Sequence, residues 1–199
     1  MHAGKQAPRI LDPEFLLSAY RQGFFPMADS RTGEIHWYSP DPRGILELDG
    51  LVISRSLRRT LARGVYEIRM DTAFESVISH CRERAETWIS DVILQSYLAL
   101  HRLGHAHSVE AWMDGRIAGG LYGVAIGGAF FGESMFSLER DASKCALVRL
   151  VERLRIRRFR LLDTQFLTPH LASLGATEIP RTEYLRRLEE AIRLPCSFA

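Results

Sequence analysis

The chain has 199 residues, enough for one medium domain or one domain with a small appendage. Its apolar content of 46% is that of an ordinary folded protein, and a net charge of +2 is too small to argue nucleic-acid binding by itself. Cys81, Cys145 and Cys196 form no CxxC pair, so neither a zinc site nor a disulfide framework is suggested, and a reducing cytoplasm is expected. No apolar run reaches the roughly 18 residues that a membrane span needs, and no apolar stretch follows a basic start as in a signal peptide.

Residues 1–10 read as a polar tail. Asp12-Pro13 then opens a helix, with Asp as cap and Pro in the first turn. Phe15, Leu16, Ala19 and Tyr20 form its apolar stripe, and Gly23 stops it. Phe24-Phe25-Pro26-Met27 is extended, and 28–34 is a polar loop. The stretch 36–48, HWYSPDPRGILEL, is a rigid entry into a strand at 44–48, with a second strand over 51–53. Trp37 and Tyr38 there suit either core packing under a loop or the wall of a site for a flat ligand. Ser56 caps a short basic helix ended by Gly64, and 66–70 alternates like a strand. Asp71 caps a helix that buries Phe74, Val77, Ile78 and Cys81. Ser90 caps another over 91–103.

His107 to Phe136 is an apolar meander. Asp114-Gly115 is a strong hairpin signal and Gly127-Gly128 a weaker one, giving three antiparallel strands over 107–113, 116–126 and 129–136. Glu110 and Glu133 lie in this sheet, and carboxylates in such surroundings must be solvated, paired or used. The glycines at 119, 120, 123, 127 and 128 fit no phosphate-loop pattern. They let a backbone or a ligand approach the sheet. A helix follows over 141–159, and its end, RLRIRRFR, holds five arginines in eight residues. Complementing the helix dipole is their ordinary explanation, and contact with phosphates is the other. A strand at 159–163 leads to Asp163-Thr164-Gln165, then a short helix over 169–174, a strand over 176–180 and a closing helix from Thr182. The order gives a mixed α+β fold with a largely antiparallel sheet. No histidine spacing suits a metal, and Ser134 in GESMF lacks the strand–turn–helix elbow of a serine nucleophile.

The strings AYRQGFFP (19–26), WYSPDPR (37–43), TWIS (87–90), LHRLGHAHSVEAW (100–112), FFGESMFS (130–137), DTQF (163–166) and HLASLGA (170–176) occur in one order over residues 15–180. Together they resemble the bacterial leucyl/phenylalanyl-tRNA–protein transferases. The resemblance implies a GNAT-like (acetyltransferase-like) catalytic domain, here 39–199, behind a small, shortened N-terminal domain, 1–38. It implies transfer of Leu or Phe, and less efficiently Met, from aminoacyl-tRNA to proteins that begin with Arg or Lys, which marks them for degradation. No cofactor, metal or membrane is implied, and a monomer is expected. For such a reaction the residues expected to be catalytic are Asp163, Gln165 and Glu133. Gln165 accepts a hydrogen bond from the attacking amine, Asp163 orients the Gln165 amide from two residues away, and Glu133 pairs with the acceptor's cationic end. Phe131, Met135 and Phe136 would line an apolar amino-acid pocket, Trp37 and Trp88 would meet the terminal adenine or the peptide, and Glu110 and Ser134 complete the substrate-binding set. Arg58, Arg59, Arg155, Arg157 and Arg158 would grip tRNA phosphates.

Overall fold

The structure is a computed structural model that describes residues 10–83 and 87–199. The meander is its centre. Strands β5 (Ala106–Met113), β6 (Arg116–Ile126) and β7 (Ala129–Ser137) pair antiparallel. Asp114, Gly115 and Gly127 take positive φ at the two turns, as tight hairpins require. Strand β4 (Glu67–Met70) extends the sheet beside β5, and β8 (Leu161–Gln165) lies parallel to β7. Strand β3 (Arg43–Ile45) is inserted between β8 and β9 (Thr177–Ile179), antiparallel to both. The order is β4-β5-β6-β7-β8-β3-β9, so the sheet is antiparallel except at β7–β8.

Two hydrophobic clusters flank the sheet. On one face, helices α1 (Pro13–Arg21), α3 (Phe74–Arg82), α4 (Asp91–Arg102) and α7 (Arg181–Ile192) bury residues such as Tyr20, Val77, Tyr97 and Leu188 against Tyr122, Val124 and Phe131. On the other, α5 (Ala142–Ile156) buries Leu147, Leu150 and Leu154 against Leu121 and Phe130, with Leu57 of α2 (Arg55–Ala62) joining them. Helix α6 (Pro169–Ala172) is one turn long. The hairpin of β1 (Phe25–Ala28) and β2 (Ile35–Tyr38) forms a separate two-stranded sheet, yet Phe25 and Ala28 belong to the same cluster as α1, α3 and α4. The N-terminal segment is therefore seated on the main core. No helix among the described residues is long and apolar enough to cross a membrane.

Local chemistry moves several boundaries. Asp12 caps α1 as expected, accepting from the Phe15 N–H at 2.9 Å. Leu17 rather than Phe15 is buried: Phe15 is 58% exposed and meets the edge of Trp37. The cap of α2 is Ser54, not Ser56, because its Oγ reaches the Leu57 N–H. Asp71 does not cap α3. It sits at φ 57 and accepts from the Ser108 N–H and the His107 ring. The Glu110 carboxylate takes over that end of α3, accepting from the Thr72 and Ala73 N–H groups and the Thr72 hydroxyl. The strand expected at 44–48 shrinks to Arg43–Ile45, 51–53 is not a strand, and α7 starts at Arg181, after Pro180.

Gly44 in β3 has no room for a side chain. A Cβ there would lie 2.8 Å from the Phe166 carbonyl carbon, 2.9 Å from Thr164 Oγ1 and 3.0 Å from the Leu167 nitrogen. Gly44→Ala is expected to cost about 1–3 kcal/mol, since backbone must shift to admit the methyl group. Urea denaturation at constant m-value measures the loss.

Candidate active site

Strands β7 and β8 are paired over three positions only: Ala129 with Leu161, Phe130 with Leu162, and Phe131 with Asp163. Beyond that the two strands part. Two local features turn them outward. The β6–β7 register shifts between Tyr122 and Gly123, and Gln165 takes φ 65, which breaks the extended line of β8. Gly123 permits the close crossing, because a Cβ there would lie 2.3 Å from the Phe131 carbonyl oxygen. The opening between Gly132–Leu138 and Thr164–Phe166 is a cavity of about 710 Å³. It reaches both faces of the sheet. Toward α5 its wall is Leu121, Met135, Leu147, Leu150 and Leu162. Toward the α3 face it is lined by Met27, His80, Trp88, Tyr122 and Phe136.

Glu133 stands at the neck between these halves. It is 8% exposed and accepts from the Tyr20 hydroxyl (2.6 Å), the Tyr97 hydroxyl (3.1 Å) and Gln165 Nε2 (2.9 Å). The two tyrosine hydroxyls also touch each other. Burial pushes the Glu133 carboxyl up to about 7, against the pull of its three donors. The same burial, with Glu133 alongside, raises both tyrosines well above their ordinary range, so they stay donors. The Gln165 amide is thereby oriented. Its nitrogen is committed to Glu133, which leaves its oxygen as the acceptor.

Asp163 is fully buried and lies behind this pair. Arg43 meets it with two bonds, Nε to Oδ1 at 2.9 Å and Nη2 to Oδ2 at 2.6 Å, and the Tyr184 hydroxyl donates to Oδ2 at 2.7 Å. Arg43 also donates to the Gly23 carbonyl and lies between the rings of Phe25 and Tyr184. Asp163 reaches Gln165 through the backbone, accepting its N–H at 2.8 Å. The expectation that Asp163 orients the Gln165 side-chain amide is corrected here: Glu133 does that, and Asp163 fixes the strand end. Glu133 in turn is occupied by Tyr20, Tyr97 and Gln165.

The structure thus brings together Glu133, Gln165, Ser134, Met135, Phe136 and Trp88 around one cavity, with Met135 and Phe136 on its opposite sides. Four other expected residues lie outside its lining. Phe131 is buried beneath Tyr20, and Trp37 packs beside Phe15. Glu110 holds the start of α3, and Asp163 is sealed by Arg43. The arginines Arg58, Arg59, Arg155, Arg157 and Arg158 are exposed, Arg155 with Asp49 at 3.1 Å. Leu150 lines the cavity and Arg157 caps the far end of α5, seven residues or about 10 Å further along at 1.5 Å per residue. Reasoning from sequence missed Arg43, Tyr20, Tyr97 and Tyr184. Arg43 and Tyr20 were in view inside the strings WYSPDPR and AYRQGFFP. Tyr97 and Tyr184 lie in the helices α4 and α7, where helical spacing marks them as core and nothing more. Among the described residues no group of three or more His, Cys, Asp or Glu is placed to hold a metal ion.

The family profile described as leucyl/phenylalanyl-tRNA protein transferase matches residues 45–189, and that of its N-terminal domain matches 9–41. This chain belongs to the leucyl/phenylalanyl-tRNA–protein transferase family. A relative from Rubrobacter xylanophilus, a leucyl/phenylalanyl-tRNA–protein transferase by name, is 59% identical over 95% of this chain and 99% of its own length. One from Gloeobacter violaceus bearing the same name is 55% identical over 94% and 97%. Among solved structures, the chain is similar to a tandem GNAT protein from the clavulanic acid biosynthesis pathway. That likeness has TM-score 0.41 and 16% identity, over 89% of this chain and 58% of that one. In this member of the transferase family, Glu133 and Gln165 come from the strings FFGESMFS and DTQF and meet across the opening between β7 and β8.

Proposed function

We propose that this chain transfers Leu or Phe, and Met less well, from aminoacyl-tRNA to the N-terminal Arg or Lys of acceptor proteins, marking them for degradation. The observation that carries this reading is the cavity that crosses the sheet, apolar at one end and holding the Glu133–Gln165 pair at its neck. The aminoacyl side chain enters the wall of Leu121, Met135, Leu147, Leu150 and Leu162. These residues offer shape and no polar partner, and methionine's flexibility suits both Leu and Phe.

The reaction is aminolysis of an ester. The α-amine has a pKa near 8, so roughly a tenth is neutral at pH 7 without help. The site then has to position more than to activate, and proximity supplies on the order of 7 kcal/mol. In this reading the oxygen of the Gln165 amide accepts a hydrogen bond from the attacking amine. Glu133, ionised, holds that amide and stabilises the positive charge growing on the nitrogen. Asp163 and Arg43 cancel each other's charge and act only on the position of β8. The exposed arginines of α2 and of the α5 end, including Arg58, Arg59, Arg155, Arg157 and Arg158, stand outside the cavity lining, which suits them to phosphates of the acceptor stem rather than to the aminoacyl end. A domain boundary near residue 38 accompanies this reading, with the N-terminal unit supplying Tyr20 to the neck and Met27 to the cavity wall.

Incubation with labelled Leu-tRNA and peptides beginning with Arg or Asp tests the proposal. Label is expected in the Arg peptide alone. Transfer to the Asp peptide would keep the chemistry and overturn the acceptor class, and transfer to neither would overturn the reading.

A further inference from the structure

His80 lies in α3, on the cavity wall, and the catalytic reading gives it no role. Its ring is stacked on Phe136, with centroids 4.7 Å apart and planes 15° from parallel. Its Nδ1 is 2.8 Å from the Ser76 carbonyl oxygen. A carbonyl only accepts, so Nδ1 carries the proton, and in the neutral ring Nε2 is an acceptor. Nε2 has no protein partner among the described residues. Phe136 is three residues along β7 from Glu133, about 10 Å at 3.3 Å per residue. The stack thus stands about one nucleoside from the neck, and on the face of the sheet away from the leucine-lined wall.

We propose that His80, stacked on Phe136, reads the terminal adenine of the donor, its Nε2 accepting a hydrogen bond from the adenine 6-amino group. This rests on the transferase reading and adds a residue that selects the base. The geometry divides the cavity into three. The amino-acid side chain goes toward α5, the ester lies at Glu133 and Gln165, and the purine lies toward α3. A polar acceptor held by its ring stack among Met27, Trp88, Tyr122 and Phe136, with the Glu83 carboxylate also on the lining, is the kind of group that sets orientation in a largely apolar site. A hydroxypurine offers an oxygen where adenine offers N–H, and an unsubstituted purine offers neither. A site whose His80 acceptor faces the 6-position disfavours both.

The test compares leucyl-tRNA ending in adenosine with leucyl-tRNA ending in purine riboside, which lacks the 6-amino group. The acceptor is one Arg peptide, and the enzymes are the native protein and His80→Phe. Phenylalanine keeps the ring stack and removes the acceptor nitrogen. Native enzyme is expected to favour adenosine roughly tenfold in kcat/KM, the scale of one such hydrogen bond. His80→Phe is expected to lose that preference through a higher KM for the adenosine donor, with kcat and the peptide KM unchanged. His80→Gln, which retains an acceptor, is expected to recover part of it. An adenosine preference that survives in His80→Phe overturns the proposal. So does a change confined to the peptide KM, which would place the acceptor's cationic side chain at the stack instead. Failure of native enzyme to transfer from ordinary leucyl-tRNA would sink the transferase reading itself, a result distinct from either of these.

Discussion

Arg43→Ala is expected to remove about 3–5 kcal/mol of folding stability, because it leaves the Asp163 carboxylate buried with its charge uncompensated. The Tyr184 hydroxyl and the Gln165 N–H remain as donors to Asp163, but neither brings a positive charge. The cavity left by so large a buried side chain adds to the loss, and a double replacement separates the two causes. Arg43→Met combined with Asp163→Leu removes both charges while keeping volume, and it is expected to recover most of the stability. Transfer is not expected to return with it, since the Gln165 N–H loses its acceptor and the strand end is no longer fixed. Urea denaturation and a transfer assay on the three proteins measure this. Full stability in Arg43→Ala would show that the pair is not what fixes β8.

Glu133→Gln is expected to slow transfer by on the order of a hundredfold, the scale for loss of one group that stabilises charge at the reacting centre. It keeps the size of the side chain and an oxygen for the tyrosines. The pH dependence carries more information than the rate. Native activity is expected to rise as Glu133 ionises around pH 7, before the further rise from the acceptor amine near pH 8. Glu133→Gln is expected to lose the first rise and keep the second. Stability should run the opposite way. The carboxyl is raised from 4.5 in the unfolded chain to about 7 in the fold, so between those values the native state binds more protons than the unfolded one. Stability is therefore greatest below pH 4.5, falls as pH rises through the window to about 7, and is level above it as far as this group is concerned. The total is on the order of 3 kcal/mol. Glu133→Gln should abolish that slope, and a slope that persists would assign it to another group.

The elements with strong local chemistry were legible in the sequence. Hairpin residues and the apolar runs between them fix the meander to within a residue, and Asp12 and Ser90 cap their helices as expected. The carboxylates Glu133 and Asp163 were conspicuous because acids in apolar strands need an account. Their partners were not. Tyr20, Tyr97, Tyr184 and Arg43 reach them from 21 to 120 residues away, and no pattern along the chain reports such pairs. Phe131, Met135 and Phe136 are parted from one another for a related reason: Met135 and Phe136 line the cavity and Phe131 does not. Strand alternation says that neighbours face opposite ways, but the shift at Gly123 and the parting of β7 from β8 decide which of them meets the cavity. Glu110 shows the converse. It looked like a site acid, and three donors at the start of α3 account for it.

The position of β3 between β8 and β9 also dictates when the molecule can be completed. Residues 43–45 are made early, whereas their partners lie at 161–165 and 177–179. On the ribosome β3 has nothing to pair with until almost the whole chain has emerged, while the β5–β6–β7 meander needs only neighbouring residues and closes first. Arg43 is left without its counter-charge for the same interval, 120 residues from Asp163. A chain that stops before β8 can hold β4 and the meander but neither the β8–β3–β9 side of the sheet nor its charge pair. Assembly thus proceeds from the middle of the sequence outward, and joining the two ends is the last step, carrying the entropic cost of closing a very long loop.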